Sequence, residues 1–369
     1  MKIAVEADCF AAFTSGFPVR GMMLELIRQN PEIEFQLYYT KRERPSVLQN
    51  FYDKINSMPN VKVRYFKDRR KVIAIKRLLG LKYVEFETDV DLFLSPGNPS
   101  YIRGYNGLSI CSLADLSTIK GISTNKHAFF FKHWGKRQLK KTLPWTTKIV
   151  AISDFTKKDI IEYFPEVSEK VVTIHNGIDN NWFRNDNMLS GCAESYGVSD
   201  PYFIWWGFIS RRKNIDRLIE AYKMAKSQNI SLPKLLLVGK LAEHMDYLRR
   251  EFGQDIINIG FQDEDKLRSL VAGSRGLIFP SLYEGFGLPV IEAFSQGVNV
   301  ACSNVTSLPE VAGGHALLFD PCSVQEIAGS LVQLANMPIE REKLVSYAKR
   351  FSYAYAASKY TELIKELVK

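Results

Sequence analysis

The stretch Ser281-Leu-Tyr-Glu-Gly-Phe-Gly-Leu-Pro-Val-Ile-Glu292 constrains this chain more than any other. The run before it, Gly276-Leu-Ile-Phe-Pro280, is short and apolar, as a buried parallel strand is. Gly285 and Gly287 reach torsions closed to other residues and let the backbone come close to a ligand. Pro289 suits a first helical turn, where its missing N–H costs nothing. Strand, glycine turn and helix start together make an anion site, because backbone N–H groups and the helix dipole converge on one spot. Glu284 and Glu292 flank it. Two acids beside a phosphate-type site predict a ligand carrying both phosphates and hydroxyls, as a nucleotide sugar does.

Short apolar runs alternate with helical segments almost throughout, which predicts parallel sheets joined by helical crossovers. The expected strands of the first half are Lys2–Ala7, Glu34–Tyr39, Val61–Tyr65, Asp91–Ser95, Leu108–Leu113, Lys148–Ile152 and Val171–Ile174. Those of the second half are Tyr202–Trp206, Lys234–Val238, Ile256–Ile259, Gly276–Phe279, Val298–Cys302 and Ala316–Phe319. Asn176 to Asp186 is polar and turn-rich, as a linker should be, and the boundary is expected near 189–198. In open parallel sheets ligands gather beyond the carboxyl ends of the strands, and the motifs fall at such ends.

Arg211, Arg212 and Lys213 follow one of these strands, and Asn214 is expected to cap the helix beginning at Ile215. Cations crowded at the positive end of a helix destabilise it unless an anion arrives, which suits a diphosphate. Glu292, about one turn into its helix, is placed to accept the ribose hydroxyls, as the acid of dinucleotide folds does; a first-turn acid stabilised by the dipole is the plainer alternative. Asp89-Val-Asp91 has the form of a metal-binding Asp-x-Asp but reads as a lead-in to an apolar strand. No metal and no other cofactor is expected, because a helix terminus and basic residues offset the diphosphate charge.

The 369 residues suffice for two domains, each with its own core. Cys9, Cys111, Cys192, Cys302 and Cys322 lie far apart without metal spacing and read as reduced thiols of a cytosolic protein. The acidic residues of Met1-Lys-Ile-Ala-Val-Glu-Ala-Asp8 argue for a first strand rather than a signal peptide, and no apolar run reaches membrane-spanning length. The net charge of +9 is uneven. One basic cluster runs from Lys62 to Lys82 and includes Arg69, Arg70 and Lys71. Another runs from Lys120 to Lys141, interleaved with Phe129, Phe130, Phe131 and Trp134 and followed by Trp145. Basic residues among large aromatics suit an anionic membrane surface, while a solvated helix face over a packed core explains either cluster equally well. No nucleic-acid-binding motif accompanies the charge, so nucleic acid is not an expected partner.

Glu284 and Glu292 within E-G-F-G-L-P-V-I-E-A resemble the Glu-x7-Glu motif of the retaining glycosyltransferases of family 4, group 1, which are built on the GT-B fold. Asn304-Val-Thr-Ser-Leu-Pro-Glu310-Val-Ala-Gly313 and Ala316-Leu-Leu-Phe-Asp-Pro321 resemble the segments that follow in that family. Gly207 through Lys213-Asn214 resembles its G-x5-K-N motif. Ser153-Asp-Phe-Thr-Lys-Lys-Asp159 and His175-Asn-Gly-Ile-Asp179 resemble its helix-capping segment and its cleft-lining turn, where Gly177 permits the bend. The likeness is dense from about Ile149 to Pro321 and thinner before, where Gly16 matches the family's first glycine loop. It departs at Phe208, where relatives often carry arginine, and at Ala114, where many read histidine ahead of the aspartate kept here as Asp115. His127, His133 or an acceptor carbonyl is a candidate substitute for that histidine.

The resemblance implies two Rossmann-like parallel-sheet domains facing across a cleft. Residues 1–192 would bind the acceptor, 193–351 the nucleotide sugar, and 352–369 would form a helix crossing back onto the first domain. It implies Lys213 as diphosphate ligand, with Arg212 or Arg211 in place of the missing arginine. Glu284 would face the donor sugar, Glu292 the ribose, and the backbone of Gly285, Phe286, Gly287 and Leu288 the phosphates. Gly16, Gly177 and Asp115 would complete the site, Asp115 from the acceptor side. The implied activity is retaining, metal-independent transfer of a hexose from a nucleoside-diphosphate sugar to a hydroxyl of a glycan or lipid-linked acceptor. The expected setting is bacterial surface polysaccharide or lipopolysaccharide synthesis in the cytoplasm, with peripheral association at the inner face of the cell membrane open beside it. A catalytically weak nucleotide-sugar-binding partner subunit and a nucleotide-sugar hydrolase or epimerase stay open beside it. The base, the sugar and the acceptor depend on side chains that no motif specifies.

Overall fold

The computed structural model describes residues 1–11, 16–40, 48–66, 72, 89–97, 105–122, 128–183, 193–198, 201–228 and 231–369. They fold as two compact units. One is built from Met1–Gly121, His127–Gly177 and Ser352–Lys369, the other chiefly from Ile178–Phe351, with Ile122–Lys126.

The first unit holds a seven-stranded sheet of β1 (Lys2–Glu6), β2 (Glu34–Tyr39), β3 (Val61–Tyr65), β4 (Leu92–Ser95), β5 (Ser109–Leu113), β6 (Lys148–Ala151) and β7 (Val171–Thr173). Their order is β3-β2-β1-β4-β5-β6-β7, and every pairing is parallel. The second unit holds β8 (Tyr202–Trp206), β9 (Lys234–Val238), β10 (Ile256–Asn258), β11 (Gly276–Phe279), β12 (Val300–Ser303) and β13 (Leu317–Phe319). Their order is β10-β9-β8-β11-β12-β13, again all parallel. Helices cover both faces of such sheets, so strands read as continuous apolar runs; every residue of β8 and of β11 is buried. In each sheet the order reverses beside its first strand, β1 or β8. There the crossovers part to opposite faces and open a crevice beyond the carboxyl ends of the strands.

All thirteen expected strands are present, with ends shifted by at most two residues. The largest shift is at β12. Gly297, at φ +68°, closes the preceding helix while Val298 N–H still bonds the Ala293 carbonyl, so the chain joins the sheet only at Val300. Asp91 accepts the Lys2 N–H at 2.7 Å and donates its own N–H to the Lys2 carbonyl. It thus works as the lead-in to β4.

The final helix, Tyr353–Leu367, belongs to the first unit. Ala356, Ala357, Tyr360, Leu363 and Ile364 enter the core built on Ile3, Val5 and Leu37, against the helix Gly16–Gln29. Gly177 explains part of that packing. A Cβ there would lie 2.4 Å from the Ser352 carbonyl carbon and 2.5 Å from the Tyr353 nitrogen. The glycine is required by this close approach rather than by the bend expected of it, since its φ is not positive.

The second unit begins at Ile178, earlier than the expected boundary near 189–198. Ile178 N–H bonds the Phe351 carbonyl at 2.8 Å. The carbonyl of buried Trp182 accepts hydrogen bonds from Ser295 Oγ, at 2.8 Å, and from Gln296. Ile178 and Trp182, which composition marks as linker, are therefore already packed into the second sheet's unit. Cys9, Cys111, Cys302 and Cys322 are free thiols; Cys192 lies outside the described residues.

Candidate functional site

The second unit's site is assembled where β8, β9 and β11 end. β8 runs into Gly207 (φ +137°) and β9 into Gly239 (φ +154°), and a Cβ on Gly239 would stand 1.8 Å from the Gly207 carbonyl oxygen. Only bare backbone lets these two strand ends lie so close. The chain then forms a single 3-10 turn, Arg211–Lys213, ahead of the helix Ile215–Ser227.

Asn214 joins turn and helix in the left-handed conformation, at φ 60°, ψ 34°. Its side chain does not cap the helix as expected. The buried amide instead donates to the Pro280 carbonyl at 3.0 Å and the Pro321 carbonyl at 2.7 Å, while Oδ1 accepts from Arg217 at 2.9 Å. Those carbonyls stand at the ends of β11 and β13, where no further sheet pairing satisfies them. Asn214 thereby ties the basic turn to the strand that carries Glu284.

The expectation of an anion at this turn is met from within the chain. Lys213 Nζ lies 2.5 Å from Glu284 Oε1, and Arg212 Nη1 lies 3.0 Å from Oε2 and 2.7 Å from the Tyr283 carbonyl. Of the two arginines left open by the sequence, Arg212 is the one paired with Glu284, and Arg211 is exposed. The Lys213 ammonium also sits 5.0 Å over the Phe279 ring. Glu284 is buried. Burial alone would raise its pKa; Lys213 and Arg212 overcome that and hold the carboxyl below the usual carboxylate range.

The backbone beneath Glu284 is clamped by two residues that the motif reading did not assign. Thr306 Oγ1 accepts the Glu284 N–H at 3.2 Å, and Ser307 Oγ lies 2.9 Å from the Glu284 carbonyl and 2.8 Å from that of Phe286. Ser307 sits where a helix N-cap would, before Leu308-Pro309, but makes no capping bond. Its sequence position therefore signals a cap, and only the fold reveals the clamp. Gly287, at φ +104°, precedes the helix Leu288–Ser295, and a Cβ on it would lie 2.6 Å from Leu308 Cδ2. Phe286 is buried with its ring 5.9 Å from Phe351, so its side chain packs inside the unit. Gly285, Phe286, Gly287 and Leu288 thus lead into a helix start where Pro289 has no N–H and Val290 N–H bonds the Gly287 carbonyl at 3.0 Å.

Glu292 lies in that helix and accepts a 2.9 Å hydrogen bond from Trp206 Nε1, at the end of β8. Burial pushes its pKa up to about 7; the Trp206 bond opposes this, while the charge of Glu264 adds to it. Trp206 stacks on Trp182 at 15° with centroids 6.4 Å apart. The stacked tryptophans therefore lie beside a carboxylate whose pKa burial raises to about 7. Lys213, Arg212, Glu284, Glu292 and the 285–288 turn all meet in this one unit.

The remaining expected residues lie in the first unit. Gly16 starts the helix Gly16–Gln29. Asp115 is half-buried and uses Oδ1 to accept from Ser117 N, at 2.8 Å, and Ser117 Oγ, at 2.6 Å, which shapes the start of the helix Ser117–Lys120. Ala114 is exposed beside it. His133 is exposed on the helix Ala128–Thr142, and His127 lies outside the described residues.

Two sequence families match this chain: Glycosyl transferases group 1 over residues 196–351 and Glycosyltransferase Family 4 over residues 42–182. The chain belongs to the family 4, group 1 glycosyltransferases. Its two parallel-sheet units are the two Rossmann-like domains of the GT-B type that this family shares. The chain is 32% identical over 229 residues to O-antigen chain mannosyltransferase B of Escherichia coli, covering 59% of the chain and 60% of that relative. It is 36% identical over 213 residues to MMP alpha-(1->4)-mannosyltransferase of Mycolicibacterium hassiacum, covering 55% of the chain and 49% of that relative. The matched part thus spans less than two thirds of either relative. A glycosyltransferase of Rickettsia africae shares the fold with a TM-score of 0.72 at 15% identity, over 100% of this chain and 98% of that one.

Proposed function

We propose that this glycosyltransferase moves a sugar from a nucleoside-diphosphate sugar to a hydroxyl of a glycan or lipid-linked acceptor, with retention and without a metal. The observation that carries this reading is the buried Glu284 carboxylate held by Lys213 and Arg212 where the helix Leu288–Ser295 begins. Two cations, the positive end of a helix and a carboxylate at one point match what a glycosyl diphosphate presents. Lys213, Arg212 and the helix start would stabilise charge on the leaving diphosphate as the C1–O bond breaks. The acceptor oxygen bonds C1 from the same face, and its proton passes to the leaving phosphate oxygen. Asp115, from the first unit, is proposed to orient the acceptor hydroxyl. Both curated relatives named above are mannosyltransferases, which favours mannose as the sugar, and the O-antigen relative favours surface polysaccharide synthesis.

The test is an assay with GDP-mannose and UDP-glucose on synthetic glycan acceptors, with the anomer of the product read by NMR. Transfer with an inverted anomer, or hydrolysis alone, would replace this reading, as would activity abolished by EDTA and restored by magnesium. The pH profile carries a second expectation. Glu292 accepts ribose hydroxyls best when ionised, and its pKa is raised to about 7. Donor KM should therefore fall as pH rises through about 7 and level off above it, and Glu292→Gln should flatten that dependence. A wild-type KM unchanged between pH 6 and 8 would detach Glu292 from the donor.

We also propose an anionic membrane surface as a partner of the first unit. Among the described residues no helix is long and apolar enough to cross a membrane. The helix Ala128–Thr142 contains no acidic residue and exposes Lys132, Lys136, Arg137, Lys140 and Lys141, and Trp145 is 47% exposed just beyond it. Arg69, Arg70 and Lys71 of the other basic cluster lie outside the described residues. Each basic residue near an anionic leaflet contributes about 1 kcal/mol. Glutamates at Arg137, Lys140 and Lys141 should cut co-flotation with phosphatidylserine liposomes by roughly a hundredfold or more. Nucleotide affinity should stay unchanged, and wild-type protein that ignores such liposomes at low salt would remove this partner.

A further inference from the structure

The proposed donor site is already filled by a charge of its own. Lys213 and Arg212, the two cations assigned to the diphosphate, are both spent on Glu284, at 2.5 Å and 3.0 Å. The Glu284 backbone is held at both its N–H and its carbonyl by Thr306 and Ser307. A diphosphate therefore reaches the cations through rotation of one side chain, not through movement of the loop. A carboxylate turned away from its cations in a buried site needs new donors, because an unpaired buried charge is costly.

We propose that Glu284 selects the intact donor against the spent nucleotide. An arriving glycosyl diphosphate takes Lys213 and Arg212 from Glu284, and the donor's own sugar hydroxyls, adjacent to the diphosphate, then satisfy the displaced carboxylate. A free nucleoside diphosphate takes the same cations and has no donor-sugar hydroxyl beside the diphosphate to give in exchange, so it leaves the buried carboxylate without either cation. The same imbalance expels the product: once the sugar has gone to the acceptor, Glu284 returns to its cations and the nucleotide is released. This rests on the donor-site reading above and adds to it a reason for the site to be closed by an internal ion pair.

Calorimetry with GDP, UDP and their mannose and glucose conjugates tests it. Glu284→Gln removes the competing charge and should tighten binding of the free nucleoside diphosphate by about tenfold or more, while the sugar conjugate gains less or loses. Glu284→Asp keeps the charge but withdraws it by one methylene, and should shift the ratio in the same direction by a smaller factor. This variant serves if the glutamine form fails to fold. Product inhibition should strengthen in parallel. If both variants bind free nucleotide as weakly as the wild type, or more weakly, the selection role is overturned while the donor site stands. If the wild type binds neither sugar conjugate, the donor-site reading itself falls, and this inference with it.

Discussion

Lys213→Ala should weaken binding of both the sugar nucleotide and the free nucleoside diphosphate by about 1.5–3 kcal/mol, the range for a hydrogen bond to a charged group. At about 1.4 kcal/mol per tenfold, that is roughly a ten- to hundredfold loss of affinity. The variant also unbalances the protein. Of its two cations Glu284 would keep Arg212, at 3.0 Å, against the burial that pushes its carboxyl up. In the wild type the folded pKa of Glu284 lies below its unfolded value. The pairing therefore stabilises the fold above the unfolded pKa, and that contribution is lost as pH falls through the folded one. Without Lys213 that contribution shrinks, so the melting-temperature deficit of the variant should be larger at pH 7 than at pH 4. Calorimetry and thermal melts at the two pH values measure both effects. Unchanged nucleotide affinity would remove Lys213 from the site, and a deficit independent of pH would mean that Glu284 gains nothing from it.

Gly239→Ala should be the most damaging single methyl in the second unit. The added Cβ would meet the Gly207 carbonyl oxygen at 1.8 Å, and φ +154° is strained for any L side chain. Neither strand end can yield, because Gly207 N–H is bonded to the Val238 carbonyl and both strands are locked in the sheet. The loss should exceed about 4 kcal/mol, in the range that marks a specific structural lesion. It should appear as insoluble protein or a collapsed melting temperature. Gly329→Ala is the control: its added Cβ meets nothing within 4 Å and the residue is exposed in the helix Val324–Asn336. There alanine should stabilise by up to about 1 kcal/mol, because glycine is a poor helix former. Equal melting temperatures for Gly239→Ala and the wild type would refute the close approach of β8 and β9.

The second unit was the more legible half because its motif residues sit at strand ends, where local sequence and ligand side coincide. Apolar runs of four or five residues such as Gly276–Phe279 can pack on both faces only in a parallel sheet, so the strands and their alternation with helices follow from pattern alone. The helix start after Gly287 and the acids on either side of the turn are likewise local, within eight residues of one another. What joins Glu284 to Lys213 is not local. The two residues lie 71 positions apart, and their contact depends on β8 and β11 being neighbours in the sheet.

The sequence by itself therefore determined the two α/β units, their strands, and the kinds of residue that a phosphate-and-hydroxyl ligand would meet. Periodicity, glycine torsion and helix-end chemistry act over a few neighbouring residues and leave their mark in the text of the chain. The tertiary structure alone decided that Arg212, not Arg211, pairs with Glu284, and that Asn214 fastens two strand ends instead of capping a helix. It decided too that Thr306 and Ser307 hold the turn, and that Gly177 is small for the sake of Ser352 and Tyr353. Each of these rests on a contact set by sheet order or helix docking, between residues too far apart in the chain for any local pattern to encode.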